Sequence, residues 1–364
     1  MKLFRSSGVL TPITSLPSAH GIGTMGQAAS DFIDFLHDAR QRWWQILPVG
    51  PTSYGDSPYS GYSTFAGSPY YVDLDLLVQD GLLEESDLAG LDWGDARYVD
   101  YDRVYALRFP LLRKAALRGT VTMAAEFDRF RRENARWLEP YALYMALKDQ
   151  FGGAAWMDWE ADIRLRKPEA VARWTKELAP DVTFWAFVQF LFFRQWEDLR
   201  DYAHEKGVGI IGDMPIYVAM DSADVWAEPQ FFQLDDQCVP KAVSGVPPDA
   251  FTDEGQLWGT PLYDWDALRN DGYGWWIRRV EGAQKLYDVL RIDHFRAFEA
   301  YWSVPYGEET AKNGKWVKGP GMDLVGRLTA WFHDMQFIAE DLGYITPELR
   351  ALLEESQMPG MKVL

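Results

Sequence analysis

Cysteine is almost missing from this chain: Cys238 is the only one in 364 residues. A lone thiol cannot close an internal disulfide, so a disulfide-stapled scaffold is excluded and a reducing compartment, the cytoplasm, is expected. Long hydrophobic runs are missing as well. The longest apolar stretch, Phe184 to Phe193, is interrupted by Gln189 and is too short to cross a bilayer. The N-terminal MKLFRSSGVLTPITSLPS has a Lys and an Arg but no continuous apolar core, so neither a signal peptide nor a membrane segment is expected. Positive charge is scarce: 36 basic against 54 acidic residues give a net charge of −18, which makes nucleic acid a poor partner. The five histidines show no paired metal-ligand spacing, so no metal is expected. Neither a Gly-x-Ser-x-Gly elbow nor a P-loop is present, and GIGTMG (Gly21 to Gly26) follows SLPSAH rather than a strand, so it reads as a turn into a helix and not as a nucleotide cradle.

Aromatic residues, in contrast, make up 15% of the chain and include 17 Trp. Most large rings serve as buried area. Some, however, lie in polar, Gly/Pro-rich company: Tyr54, Tyr59 and Tyr62 in PTSYGDSPYSGYSTFAGSPYY, and Phe251 and Trp258 in PPDAFTDEGQLWG. A sugar ring has flat C–H faces and hydroxyl edges, which suit aromatic plates set beside Asp, Ser and Arg. Carbohydrate is the ligand class this combination favours.

Three short apolar runs each end on a carboxylate: Val208 to Gly212 at Asp213, Val289 to Ile292 at Asp293, and Phe337 to Ala339 at Glu340. Such runs read as buried parallel strands, and an acid at the carboxyl end of each sits at the mouth of the sheet. Further strands are expected at Gly8 to Ser15, Trp43 to Val49 and Met361 to Leu364. A helix is expected between Gly26 and Gln41 with Ser30 as its N-cap, and others at 105–118, 122–137, 141–150, 169–178, 182–206, 274–288, 322–335 and 347–356. Alternating strands and helices mean an α/β protein with a parallel sheet. The domain reading is one α/β unit over 1–364 with a helical insertion at 50–207 and a loop-rich insertion at 219–273.

Alternation along a strand puts Arg291 and Asp293 on one face and Ile292 on the other. A guanidinium beside a carboxylate keeps it ionised, as a nucleophile requires. Glu340 ends a nearly uncharged strand, where a carboxyl holds its proton longer, as a general acid requires. Asp341 should face away and bond the turn at Gly343. Retaining glycoside chemistry uses two such carboxyls ~5 Å apart, and neighbouring strands ~4.8 Å apart meet that separation. Asp213 would bond a sugar hydroxyl or steady Arg291.

The segments IIGDMPIYVAMDSADVW, AVSGVPPDAFTDEGQLWGTPLYDWDAL, RIDHFRAFEAYWSVP and IAEDLGYITPEL closely resemble the 4-α-glucanotransferases, also called amylomaltases or disproportionating enzymes, of glycoside hydrolase family 77. TSLPSAHGIGTMG, DSPYSGYSTFAGSPYYVDLDLL and FGGAAWMDWEADIRLR support the likeness, which runs over nearly the whole chain. The resemblance implies an α-amylase-type (β/α)8 TIM barrel, of which about six strands fall in these residues. It implies cleavage of an α-1,4-glucan, a covalent glucosyl-enzyme, and transfer to the 4-hydroxyl of another glucan. Malto-oligosaccharides and glucans derived from starch or glycogen would be the partners, with no cofactor.

By motif, Asp293 in RIDHF resembles the nucleophile and Glu340 in AEDLG the acid/base. Asp213 in IIGDMP, Arg291 and His294 would contact the sugar at the cleavage point, and Ser57 and Tyr59 would line the same subsite. Asp249, Phe251 and Trp258 match a mobile loop over the groove, and Tyr54 is similar to an aromatic of an outer glucan-binding surface. Two departures stand out. Ala297 occupies a position where the family often has Gly. The chain stops at PGMKVL, which matches the sixth barrel strand, so a His-Asp pair on the seventh, carrying the family's third essential carboxylate, is absent. The expectation is a partial record of a longer enzyme; the alternatives are an α-amylase-type hydrolase or a catalytically silent glucan-binding protein.

Overall fold

The computed structural model describes residues 5–53, 55–250, 252–343 and 345–363. Its strands are β1 (Gly8–Leu10), β2 (Trp43–Gln45), β3 (Gly209–Pro215), β4 (Ala242–Val246), β5 (Gln256–Pro261), β6 (Val289–Asp293), β7 (Ala300–Pro305), β8 (Lys315–Lys318) and β9 (Gln336–Ala339). Five of them form a sheet in the order β1-β2-β3-β6-β9, and every adjacent pair is parallel. Such a sheet is covered on both faces, and Ile210, Val289, Leu290, Ile292 and Ala339 are accordingly buried.

The sheet is open among the described residues and has five strands where six were expected. Met361 to Val363 form no strand. The chain there touches β9 through single bonds: Ala339 N donates to the Pro359 carbonyl at 2.9 Å, and Met361 N donates to Asp341 Oδ1 at 2.7 Å. Proline has no N–H to give, so no ladder starts at residue 359. Asp341 is thus tied to Met361 rather than to the turn at Gly343. Pro12 likewise ends β1 early, and Ile13–Ser15 turn into a 3-10 helix.

The first helix, Gln27–Asp38, has Gly26 and not Ser30 as its N-cap, and Gly26 packs directly on Asp73, whose carboxyl a Cβ there would overlap. Thr24 Oγ1 donates to Asp73 Oδ2 at 2.6 Å. The glycines of GIGTMG therefore serve close packing, Gly23 against the Ile13–Leu16 turn and Gly26 against Asp73.

Helices Tyr101–Thr122, Ala124–Gln150 and Ala179–Glu205 form the helical layer. The two helices expected at 122–137 and 141–150 are one: Pro140 removes a backbone donor, yet buried Leu138, Tyr141 and Tyr144 around it keep the run continuous. Gln189, which interrupts the apolar run, is fully buried; its Oε1 accepts from Gly67 N at 2.7 Å and its Nε2 donates to Gly67 O at 2.9 Å. Gln195 does the same to the backbone of Asp73, at 2.7 and 3.1 Å. Two side-chain amides thus fix the 67–73 segment as a paired strand would.

The region expected to be loop-rich, 219–273, instead contributes β4 and β5 to a second, antiparallel sheet in the order β5-β4-β7-β8. AVSGV and QLWGTP are weak strand sequences; they pair with each other, and β7, which pairs with β4, comes from beyond β6. Among the described residues no helix is long and apolar enough to cross a membrane. Replacing Gln189 by Leu strands the Gly67 N–H and C=O in the interior, so the variant should lose ~2–4 kcal/mol in urea unfolding. An unchanged midpoint would contradict the clamp.

Candidate active site

Strand register brings the acids together. In the β3–β6 pairing Asp213 lies opposite Arg291 and Pro215 opposite Asp293. In the β6–β9 pairing Ile292 lies opposite Ala339, so Asp293 and Glu340 are the next residues along two neighbouring strands. Asp213 is not at the end of its strand, because β3 continues to Pro215.

Arg291 is the hub. Its Nη1 donates to Asp213 Oδ1 at 2.6 Å and its Nη2 pairs with Asp293 Oδ1 at 2.9 Å, while Nε lies 3.2 Å from Met361 Sδ. The Asp213 side chain is 3% exposed and that of Asp293 is 30% exposed. Burial pushes the Asp213 carboxyl up to about 6 against the pull of Arg291 and of Tyr59, so it stays mostly ionised at neutral pH.

The Tyr59 hydroxyl donates to Asp213 Oδ2 at 2.7 Å, and burial together with that negative charge keeps the phenol protonated. Ser57 shapes the turn that delivers it: its Oγ accepts from Tyr59 N at 3.3 Å.

Glu340 has both oxygens engaged by backbone donors, Oε2 by His294 N at 2.9 Å and Oε1 by Leu342 N at 2.7 Å. Those bonds favour the anion, but burial, helped by the negative charge of Asp293, raises its pKa above the ordinary range. His294 presents its N–H from a left-handed conformation, φ 53°. Burial pushes its imidazole down to about 4, so the ring is neutral at pH 7. Trp258 from β5 meets this ring edge-on, with centroids 4.7 Å apart. The second sheet thereby reaches over the end of β6.

The structure places Asp213, Arg291, Asp293, His294, Glu340, Tyr59 and Trp258 together, with Ser57 one turn away. Asp249 stands exposed on the β4–β5 loop, where it closes a turn with Thr252 through a 3.0 Å bond from Thr252 N. Tyr54 and Phe251 lie outside the described residues.

Sequence reasoning missed Arg279, which is 2% exposed and sits on helix Gly274–Leu286. It donates to the carbonyls of Pro215 and Ile216, to Tyr263 OH at 3.1 Å and to Thr64 Oγ1 at 2.8 Å. The end of β3 and the loop carrying Tyr59 are thus held by one guanidinium. The available signal was an Arg set among Trp275, Trp276 and Val280, a face too apolar for a solvated charge. Among the described residues no group of three or more His, Cys, Asp and Glu is arranged to hold a metal ion.

Residues 11–364 match the sequence pattern of the 4-alpha-glucanotransferase family, glycoside hydrolase family 77. The chain belongs to this 4-alpha-glucanotransferase family. It is 50% identical over 363 residues to the 4-alpha-glucanotransferase of Streptococcus pneumoniae, covering 99% of this chain and 72% of that one. The 4-alpha-glucanotransferase of Thermus thermophilus is 48% identical over 369 residues, covering 100% of this chain and 73% of that one. The amylomaltase of Streptococcus agalactiae, solved in complex with acarbose, superposes with a TM-score of 0.96 at 41% identity over 99% of this chain and 73% of that one. The amylomaltase of Corynebacterium glutamicum, 21% identical with a TM-score of 0.78 over 98% of this chain and 50% of that one, shares the fold. The motif resemblance is therefore a true membership: the chain is an enzyme of the 4-alpha-glucanotransferase family, whose activity is transfer of α-1,4-glucan segments, on an α-amylase-type barrel framework.

Two outcomes follow from the geometry. Arg291→Lys leaves one ammonium where a fork now reaches two carboxylates, and transferase kcat/KM should fall ~10²-fold with the fold intact by circular dichroism. In Asp293→Asn a charge that helps to raise Glu340 is gone, so the Glu340 titration, followed by carboxyl-carbon NMR, should move to lower pH; a midpoint that stays or rises contradicts the shared field.

Proposed function

We propose that this chain moves α-1,4-glucan segments between malto-oligosaccharides by a retaining double displacement carried by Asp293 and Glu340. The observation that supports it most is the placement of these two side chains on neighbouring parallel strands, with Arg291 bridging Asp293 to Asp213. Retaining chemistry needs its two carboxyls ~5–5.5 Å apart, close to the ~4.8 Å between adjacent strands.

In the first half-reaction an Asp293 carboxylate oxygen bonds to the anomeric carbon while the glycosidic bond breaks. Glu340 gives its proton to the departing 4-oxygen. In the second, Glu340 takes a proton from the 4-hydroxyl of an acceptor glucan, that oxygen bonds to the anomeric carbon, and the Asp293 ester opens. The raised pKa of Glu340 suits the first role.

Asp213, with Tyr59 donating to it and Arg291 beside it, offers acceptor oxygens to sugar hydroxyls, and the neutral His294 offers one more polar edge. Trp258 supplies an aromatic wall, and Ser57 and Asp249 are assigned to the surrounding groove; for Phe251 and Tyr54 the assignment to glucan contact rests on the motifs alone. Starch- and glycogen-derived chains fit as larger substrates, and a neutral polymer suits a protein of net charge −18, which would repel a polyanion. The single cysteine suits the cytoplasm.

Incubation with maltotriose alone tests the reading. Transfer gives glucose and a ladder of longer glucans, whereas glucose and maltose without longer products mean that water takes the intermediate. Asp293→Asn should lower turnover by at least ~10³-fold. Undiminished turnover in that variant would remove Asp293 as nucleophile.

A further inference from the structure

A second cleft, of about 440 Å³, shares no residue with the Arg291 cluster. It opens between the middle of helix Ala124–Gln150 and one face of helix Gly274–Leu286, where Arg278, Glu281 and Lys285 recur at spacings of three and four. Its apolar wall is aromatic: Phe65 and Trp137 lie nearly parallel at 17° with centroids 6.5 Å apart, and Phe193 adjoins Trp137 at 5.7 Å. All three rings are half-buried, so part of each faces the opening.

The polar walls carry both signs. Arg136, Arg166 and Lys285 line it together with Glu133, Glu281 and the buried Asp224, while Arg278 is already paired with Glu228 at 3.0 Å. Arg166 stacks on Trp226 at 4.2 Å, and its Nη1 is buried without a hydrogen-bond partner among the described residues. A buried orphan donor asks for an acceptor that the protein itself does not supply. An anion in this cleft would meet the carboxylates, and a cation would meet the bases. A neutral polyhydroxyl ring satisfies both, because each hydroxyl accepts from a guanidinium or ammonium and donates to a carboxylate, while its C–H face covers the rings.

We propose that this cleft is a second, non-catalytic binding site for a short stretch of α-1,4-glucan. The ligand class rests on the glucan reading of the catalytic site. The cleft also borders Ser63 and Phe65, which lie on the same segment as Tyr59, so a bound glucan rests against the loop that serves Asp213.

The test is calorimetric titration of the Asp293→Asn protein with maltoheptaose, which prevents turnover during the measurement. Two classes of site are expected. On that background Arg136→Ala with Lys285→Ala should weaken one class about tenfold and leave the other unchanged. Trp137→Ala, which removes the ring itself, should abolish the weakened class. With Asp293 restored, the Arg136→Ala, Lys285→Ala protein should keep maltotriose kcat within about twofold of the parent.

A single class of sites, or two classes untouched by all these variants, overturns the proposal. So does inorganic phosphate bound in the cleft that maltoheptaose does not displace. The two readings fail separately: maltotriose disproportionation with one class of site removes only the second cleft, and two classes of site without disproportionation removes only the catalytic reading.

Discussion

Everything at the carboxyl end of the parallel sheet hangs on one guanidinium between two carboxylates. Arg291 spans Asp213 on β3 and Asp293 on its own strand β6, and Glu340 stands on the next strand, β9. Three parallel strands in fixed register are needed for this, since a slip of one residue would turn each side chain to the opposite face. The buried Val, Ile, Leu and Phe of those strands hold the register. Packing energy spent across the sheet is thus read out as the position of three acids at its mouth.

The helical layer and the loops act on the same frame from outside. Gln189 and Gln195 grip the 67–73 backbone, and Arg279 grips the carbonyls that follow β3 together with Thr64. Tyr59 lies just before these anchors on the same segment and reaches Asp213. A buried polar side chain is costly unless each of its donors and acceptors is met, and here that requirement makes the contacts specific. The second sheet completes the enclosure by setting Trp258 against the His294 ring, whose burial keeps it uncharged.

The two carboxyls assigned to the chemistry are separated by environment. Glu340 is raised by burial even though two backbone N–H groups favour its anion, and Asp293 stays the more exposed of the pair bound to Arg291. A neutral imidazole and a protonated phenol surround them, so the site offers donors and acceptors to hydroxyls with little excess charge. The overall acidity of the chain fits a neutral polymer and opposes a polyanionic one.

By itself the sequence determined the periodic elements and the acids that end them. The parallel α/β class, helix Pro347–Ser356, and the placement of Arg291 and Asp293 on one face were legible because they follow from spacing within a few residues. The long family motifs carried the rest of the site. Tertiary structure alone decided what depends on partners far along the chain: the second sheet, in which the Gly- and Pro-containing hairpin of β4 and β5 is extended by the pairing of β4 with β7; the unbroken helix through Pro140; the absence of a strand at Met361 to Val363; and the anchoring role of Arg279. Local propensity is weak at each of these places, so hydrogen-bond partners brought from far along the chain set the outcome.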